Sequence, residues 1–147
     1  MKAILGSDHA GFQLRQKLSN FLSAKGYHVT EVGARTLDSF DYPAAADELV
    51  ERYLGEFFDL AILICGSGTG ICMRANRHPK IRAANCTSIE MARLAREHND
   101  ANVLCLGERI VKQDDALDIV QAFIETPAST EPRHQHRVEL LDRNRSC

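Results

Sequence analysis

The run Leu60-Ala61-Ile62-Leu63-Ile64 is apolar throughout and passes directly into Cys65-Gly66-Ser67-Gly68-Thr69-Gly70. A strand with no polar alternation is covered on both faces, the situation of an inner strand in a parallel sheet with helices above and below. Ligands of open α/β sheets gather beyond the carboxyl ends of such strands, so Cys65 is placed at a ligand-bearing edge. Three alternating glycines and a helix start follow it. Glycines let the backbone turn tightly and approach a bound group, and helix N-termini offer unpaired N–H groups to an anion. The same field favours a thiolate.

Strand-like and helix-like patterns alternate around this run. Strands are expected at Ala3 to Gly6, Tyr27 to Val32, Asp59 to Ile64, Arg82 to Cys86 and Asn102 to Leu106. Helices are expected near Gly11 to Lys25, Tyr42 to Tyr53, Thr69 to Asn76, Ser88 to His98 and Gln113 to Glu125, with a last one after Pro132. Crossovers of this length imply a parallel sheet with helices on both faces. The expected fold is therefore α/β, a Rossmann-like three-layer sandwich on a five-stranded parallel sheet. The turn-rich stretch 126–132 separates it from a C-terminal helical arm over about 127–147, and the whole of 1–147 reads as one domain.

Composition narrows the partners. With 147 residues, a formal net charge of -2 and a pI near 6.3, the chain has no global attraction to nucleic acid or an anionic membrane. No membrane span or signal peptide is visible, and a cytoplasmic setting is expected. Five cysteines without CxxC spacing suggest neither a disulfide framework nor a zinc finger. Cys72, Cys86 and Cys105 read as small buried hydrophobes, and Cys147 as a tail residue.

Polar residues collect at the presumed strand ends. Asp8 and His9 follow the first strand, although Asp8 is equally suited to capping the next helix. His98 closes a helix, where a histidine can simply answer the dipole. Arg109 follows the fifth strand. Arg133 and Arg137 share a helical face at i, i+4 spacing and could clamp one phosphate, or form a solvated basic turn.

Spacing excludes several chemistries. A dinucleotide fingerprint needs GxGxxG after the first strand, but the glycines here run GxGxG after the third. A Walker loop lacks its lysine. A cysteine phosphatase needs an arginine where Ile71 stands, and a receiver domain needs an aspartate where Cys65 stands. His134 and His136, spaced i, i+2, diverge on a helix, so no metal site is expected.

Taken together, Gly6-Ser7-Asp8-His9-Ala10-Gly11, Asp41-Tyr42-Pro43, Ile64 to Gly70, Arg96 to Leu104, Gly107-Glu108-Arg109 and Arg133-His134-Gln135-His136-Arg137-Val138 closely resemble the ribose-5-phosphate isomerase B family. Six motifs in the same order span nearly the whole chain. The resemblance implies a metal-free and cofactor-free aldose-ketose isomerase, interconverting ribose 5-phosphate and ribulose 5-phosphate through ring opening and a cis-enediolate. Relatives act on galactose 6-phosphate, allose 6-phosphate or tetrose phosphates, and a non-catalytic phosphosugar-binding regulator is a further alternative. By the same resemblance Cys65 is the base, helped by Ser67. Backbone N–H groups of Gly66, Ser67, Gly68, Thr69 and Gly70, with Asn99, hold the oxyanion. His98 protonates the ring oxygen and Asp8 handles a sugar hydroxyl. Tyr42 borders the substrate, while His9, Arg109, Arg133 and Arg137 take the phosphate. The family is dimeric or tetrameric, so a homodimer with shared active sites is implied, with His98 and Asn99 supplied by the partner subunit and the C-terminal arm aiding assembly.

Departures refine the match. Ser67 stands where many members have Thr, and Ile71 stands where one subset places a Glu base. Retention of Cys65 places this chain with the cysteine type and argues for a self-sufficient subunit. Residues 33–40 and 85–87 are expected beside the sugar, without fixing its length.

Overall fold

The computed structural model describes residues 1–143. Cys147 and the last residues of the expected arm lie outside the described residues. Five strands form one parallel sheet: β1 (Lys2–Ser7), β2 (His28–Gly33), β3 (Leu60–Cys65), β4 (Ala83–Asn85) and β5 (Val103–Gly107), in the order β2-β1-β3-β5-β4. The helices are α1 (Phe12–Ala24), α2 (Tyr42–Gly55), α3 (Thr69–Ala75), α4 (Ile89–Asn99), α5 (Gln113–Glu125) and α6 (Pro132–Leu141).

The two-residue period of β3 divides the core between two layers. Ile62 and Ile64 pack with Leu14, Leu18 and Leu22 of α1, Ala92 of α4, and Ile119 and Phe123 of α5. Ala61, Leu63 and Cys65 face the other way, against Leu49 of α2 and Ile71 and Ala75 of α3. Both faces of β3 are covered, which is why its sequence shows no polar alternation. Each fully buried Leu or Ile contributes about 1.5–3 kcal/mol.

Boundaries differ from expectation at three places. A 3-10 turn over His9–Gly11 precedes α1 because the Asp8 carboxylate accepts the Gly11 N–H at 3.0 Å. A Cβ on Gly11 would lie 2.6 Å from Ile64 O, so this turn depends on glycine for close approach to β3. The second helix runs on to Gly55, and β4 shrinks to three residues at the sheet edge. Among the described residues no helix is long and apolar enough to cross a membrane.

Candidate active site

β1 sits between β2 and β3, so the winding direction reverses there and a crevice opens between the carboxyl ends of β1 and β3. Its two lips are joined by the Asp8 N–H, which donates to Ile64 O at 3.3 Å. Cys65, only 4% exposed, ends β3, and its Sγ accepts the Gly68 N–H at 3.1 Å. Gly68 holds φ at +77°, a conformation that costs a side-chain-bearing residue but not glycine. Beyond it the Thr69 N–H donates to Ser67 Oγ at 3.2 Å.

Neighbouring elements pin this loop from three sides. Arg109 N–H donates to Gly66 O at 3.0 Å, and a Cβ on Gly66 would lie 3.3 Å from a guanidinium nitrogen of Arg109. A Cβ on Gly107 would stand 2.6 Å from Ser67 O, so the end of β5 supports the loop by lacking one. Tyr42 begins α2 and lays its ring on Gly70, where a Cβ would come 2.7 Å from Cζ. His9 is fixed by the Phe40 backbone, with Nδ1 lying 3.2 Å from both the N and the O of that residue. Asp8, His9, Tyr42, Cys65, residues 66–70 and Arg109 thus share one edge of the sheet.

His98, Asn99, Arg133 and Arg137 do not join them within one chain. α4 runs back against the strands and delivers His98 and Asn99 to the amino edge, just before β5. The five residues of β5 separate that edge from Cys65 by on the order of 17 Å. α6 packs beside α4, with the His134 ring stacked on His98 and both arginines exposed. The expected convergence of His9, Arg109, Arg133 and Arg137 on one phosphate is therefore not met by a single subunit. The reason is helix direction: in a βαβ crossover the helix carries its C-terminus away from the ligand edge.

The remaining described cysteines differ from Cys65. Cys86 and Cys105 are buried, and burial pushes the Cys86 thiol up to about 12 and Cys105 well above its ordinary value. Cys72 is half-buried and lowered by its contact with the Cys105 thiol. Cys72 lies within α3, Cys105 in the middle of β5, and Cys86 just past β4, two strands from Cys65.

Two supporting residues, Arg15 and Glu108, went unassigned from sequence, and a third, Asn85, was expected only to border the sugar. Arg15, 4% exposed, donates to Val32 O and Ala34 O at 2.6 Å each, to Ser7 Oγ at 3.1 Å and to Glu31 at 2.9 Å. Burial lowers its pKa, Glu31 opposes that shift, and a guanidinium remains charged. Its position on the apolar stripe with Leu14, Leu18 and Leu22 was a visible signal. Glu108 accepts the Leu14 N–H at 2.9 Å and so caps α1 from the ligand edge. Asn85, at the end of β4, reaches the loop itself.

A buried thiol at the switch point of an open α/β sheet, bonded by a backbone N–H and lying on the same sheet edge as His9 and Arg109, defines an α/β protein with a crevice suited to a small anionic ligand. The profile of the Ribose/Galactose Isomerase family matches residues 3–141. Ribose-5-phosphate isomerase B of Mycolicibacterium paratuberculosis is 42% identical over 142 residues, 96% of this chain and 89% of that protein. The Escherichia coli ribose-5-phosphate isomerase B is 38% identical over 95% of this chain and 93% of its own. Among solved structures, the Clostridium thermocellum ribose-5-phosphate isomerase B superposes with a TM-score of 0.92 at 44% identity, covering 97% of this chain and 95% of that one. The chain belongs to the ribose/galactose isomerase family.

Proposed function

We propose that this protein interconverts ribose 5-phosphate and ribulose 5-phosphate, with Cys65 as the base that carries a proton between carbons 2 and 1. The observation that carries the assignment is the Gly68 N–H held on Cys65 Sγ at 3.1 Å at the switch point. After ring opening, the thiolate takes the proton from carbon 2 while the aldehyde oxygen at carbon 1 becomes an enediolate oxygen. A proton then passes from the carbon 2 hydroxyl to the carbon 1 oxygen, and as the carbon 2 oxygen becomes the ketone the thiol, whose proton exchanges with solvent, protonates carbon 1. The backbone N–H groups of the 66–70 loop that are not given to Cys65 Sγ or Ser67 Oγ are assigned to the developing charge, and losing one such donor typically costs ~3 kcal/mol of barrier. Phosphate held by His9 and Arg109 supplies remote binding energy that fixes the reacting carbons.

The two-edge separation supports a shared site. A second copy placing its α4 and α6 over the crevice would bring His98 as ring-opening acid, Asn99 as an oxyanion donor, and Arg133 and Arg137 onto the phosphate. Proton transfers and N–H donors are sufficient for every step, so neither cofactor nor metal is assigned.

The direct test is isomerisation in deuterated water with EDTA present. Solvent deuterium enters carbon 1 of ribulose 5-phosphate, and Cys65→Ala abolishes turnover while retaining measurable phosphosugar binding. Full activity of Cys65→Ala sinks the base assignment. Comparing kcat/KM over tetrose, pentose and hexose phosphates ranks substrate length, with the pentose expected first.

A further inference from the structure

Asn85 lies at the carboxyl end of β4, two strands away from Cys65, yet its side-chain amide ends beneath the reaction loop. Nδ2 donates to Ser67 O and to Thr69 Oγ1, each at 3.3 Å. Oδ1 is buried without a hydrogen-bond partner and rests on the Cα of Gly68, where any Cβ would collide with it. The amide orientation is determined by these neighbours: turned over, it would set Oδ1 against Ser67 O, two acceptors facing each other.

Ser67 C=O and Gly68 N–H are opposite ends of one peptide unit. In a planar trans peptide they point in opposite directions, so whatever holds the carbonyl also aims the N–H. Here the carbonyl is held by Asn85 and the N–H points at Cys65 Sγ. Rotating this unit changes only ψ of Ser67 and φ of Gly68. Glycine visits both signs of φ at little cost, so nothing intrinsic to the loop keeps φ at +77°. An unheld unit can turn its carbonyl toward the sulfur, replacing a donor by an acceptor. The second bond, to Thr69 Oγ1, ties down the far side of Gly68.

We propose that Asn85 is a positioning residue for Cys65: by clamping the Ser67–Gly68 peptide unit it keeps the Gly68 N–H directed at the sulfur and so sustains the reactive thiolate. The proposal rests on Cys65 as the base only for its effect on turnover. Its effect on the sulfur can be read without the reaction.

The experiment uses full-length protein and the variants Asn85→Leu, nearly isosteric without a donor, and Asn85→Asp, isosteric with an acceptor facing Ser67 O. Alkylation of Cys65 by iodoacetamide is followed against pH, with peptide mass spectrometry separating Cys65 from the other cysteines. Both variants are expected to move the Cys65 rate curve to higher pH by about one unit, the scale of a charge-assisted hydrogen bond. Both should also lower kcat on the order of tenfold, less than outright removal of an oxyanion donor, with KM within about twofold. An unmoved Cys65 curve in a folded variant overturns the clamp, whatever the activity, and Asn85→Ser carries the test if the larger changes do not fold. Retained turnover in Cys65→Ala would instead sink the base assignment and leave the alkylation result standing.

Discussion

The imidazoles of His98 and His134 stack face to face, their centroids 4.3 Å apart and their planes 5° from parallel. This stack fastens α6 to α4, because His134 is the buried residue of an otherwise exposed helix. Burial lowers the His134 pKa below 6.5, and His98, Arg133 and Arg137 lower it further, with Glu97 opposing. The unfolded chain then binds more protons than the folded one as pH falls through the ordinary histidine range. Stability therefore falls on acidification and recovers as pH rises past about 6.5. Thermal melts between about pH 5 and pH 7 should show this slope, and His134→Phe, which keeps a stacked ring without a proton, should flatten it. Equal slopes in the two proteins would remove His134 from the account.

Arg15 supports a second prediction. Its buried guanidinium ties the ends of β1 and β2 together through two carbonyls, a hydroxyl and the carboxylate of Glu31, which alone among these partners reaches solvent. Arg15→Met restores apolar volume but removes the side-chain donors to Val32 O and Ala34 O. Removing one side of such a buried charged network costs about 3–5 kcal/mol. Urea unfolding should show a loss of that size, and Arg15→Lys should recover only part of it because an ammonium lacks the planar fork. A loss under about 1 kcal/mol would mean that water or relaxed backbone replaces these bonds.

Much of this arrangement was legible from the chain because the signals were local. The unbroken apolar run of β3, the glycines after it and the alternation of elements define the parallel sandwich and place Cys65 at the ligand edge. Asp8 shows why one residue can satisfy two readings: it caps the first turn and stands at the crevice. Half of the partners of Arg15 and Asn85 are backbone carbonyls, and every one lies far enough along the chain that no local pattern spells out the pairing. The separation of His98 and Asn99 from Cys65 follows from the direction of α4, a property of the crossover and not of the residues themselves.

Glycines in this chain should separate sharply by surroundings. Gly107 has no room for a Cβ, since Ser67 C and O would lie 2.5 and 2.6 Å away and both are backbone. Gly107→Ala must push the loop off its support, and under the proposed mechanism this lowers kcat on the order of tenfold or more by displacing the loop donors assigned to the enediolate. Gly55, at the end of α2, has nothing within 4 Å of the added carbon. Gly55→Ala should leave kcat unchanged and raise stability by up to ~1 kcal/mol through reduced unfolded-state freedom. Steady-state kinetics and melting of both variants check the contrast, and similar kinetics for the two would contradict it.

Placing Cys65 and His98 at opposite edges makes a subunit-mixing experiment decisive for the shared site. Cys65→Ala and His98→Ala are each expected to be inactive as homo-oligomers. If a working site takes Cys65 from one chain and His98 from another, a mixed dimer carries one doubly damaged site and one intact site. Random pairing makes half of the dimers mixed, so unfolding and refolding an equimolar mixture should restore about one quarter of the wild-type activity per subunit. A site contained within one chain predicts no recovery at all. His98→Ala removes the stack on His134 and Cys65→Ala trims a buried core position, so the refolded yield of each is normalised by circular dichroism before activities are compared. Recovery that tracks the mixing ratio as a product of the two fractions, with a maximum at equimolar, identifies pairing of unlike subunits as its source.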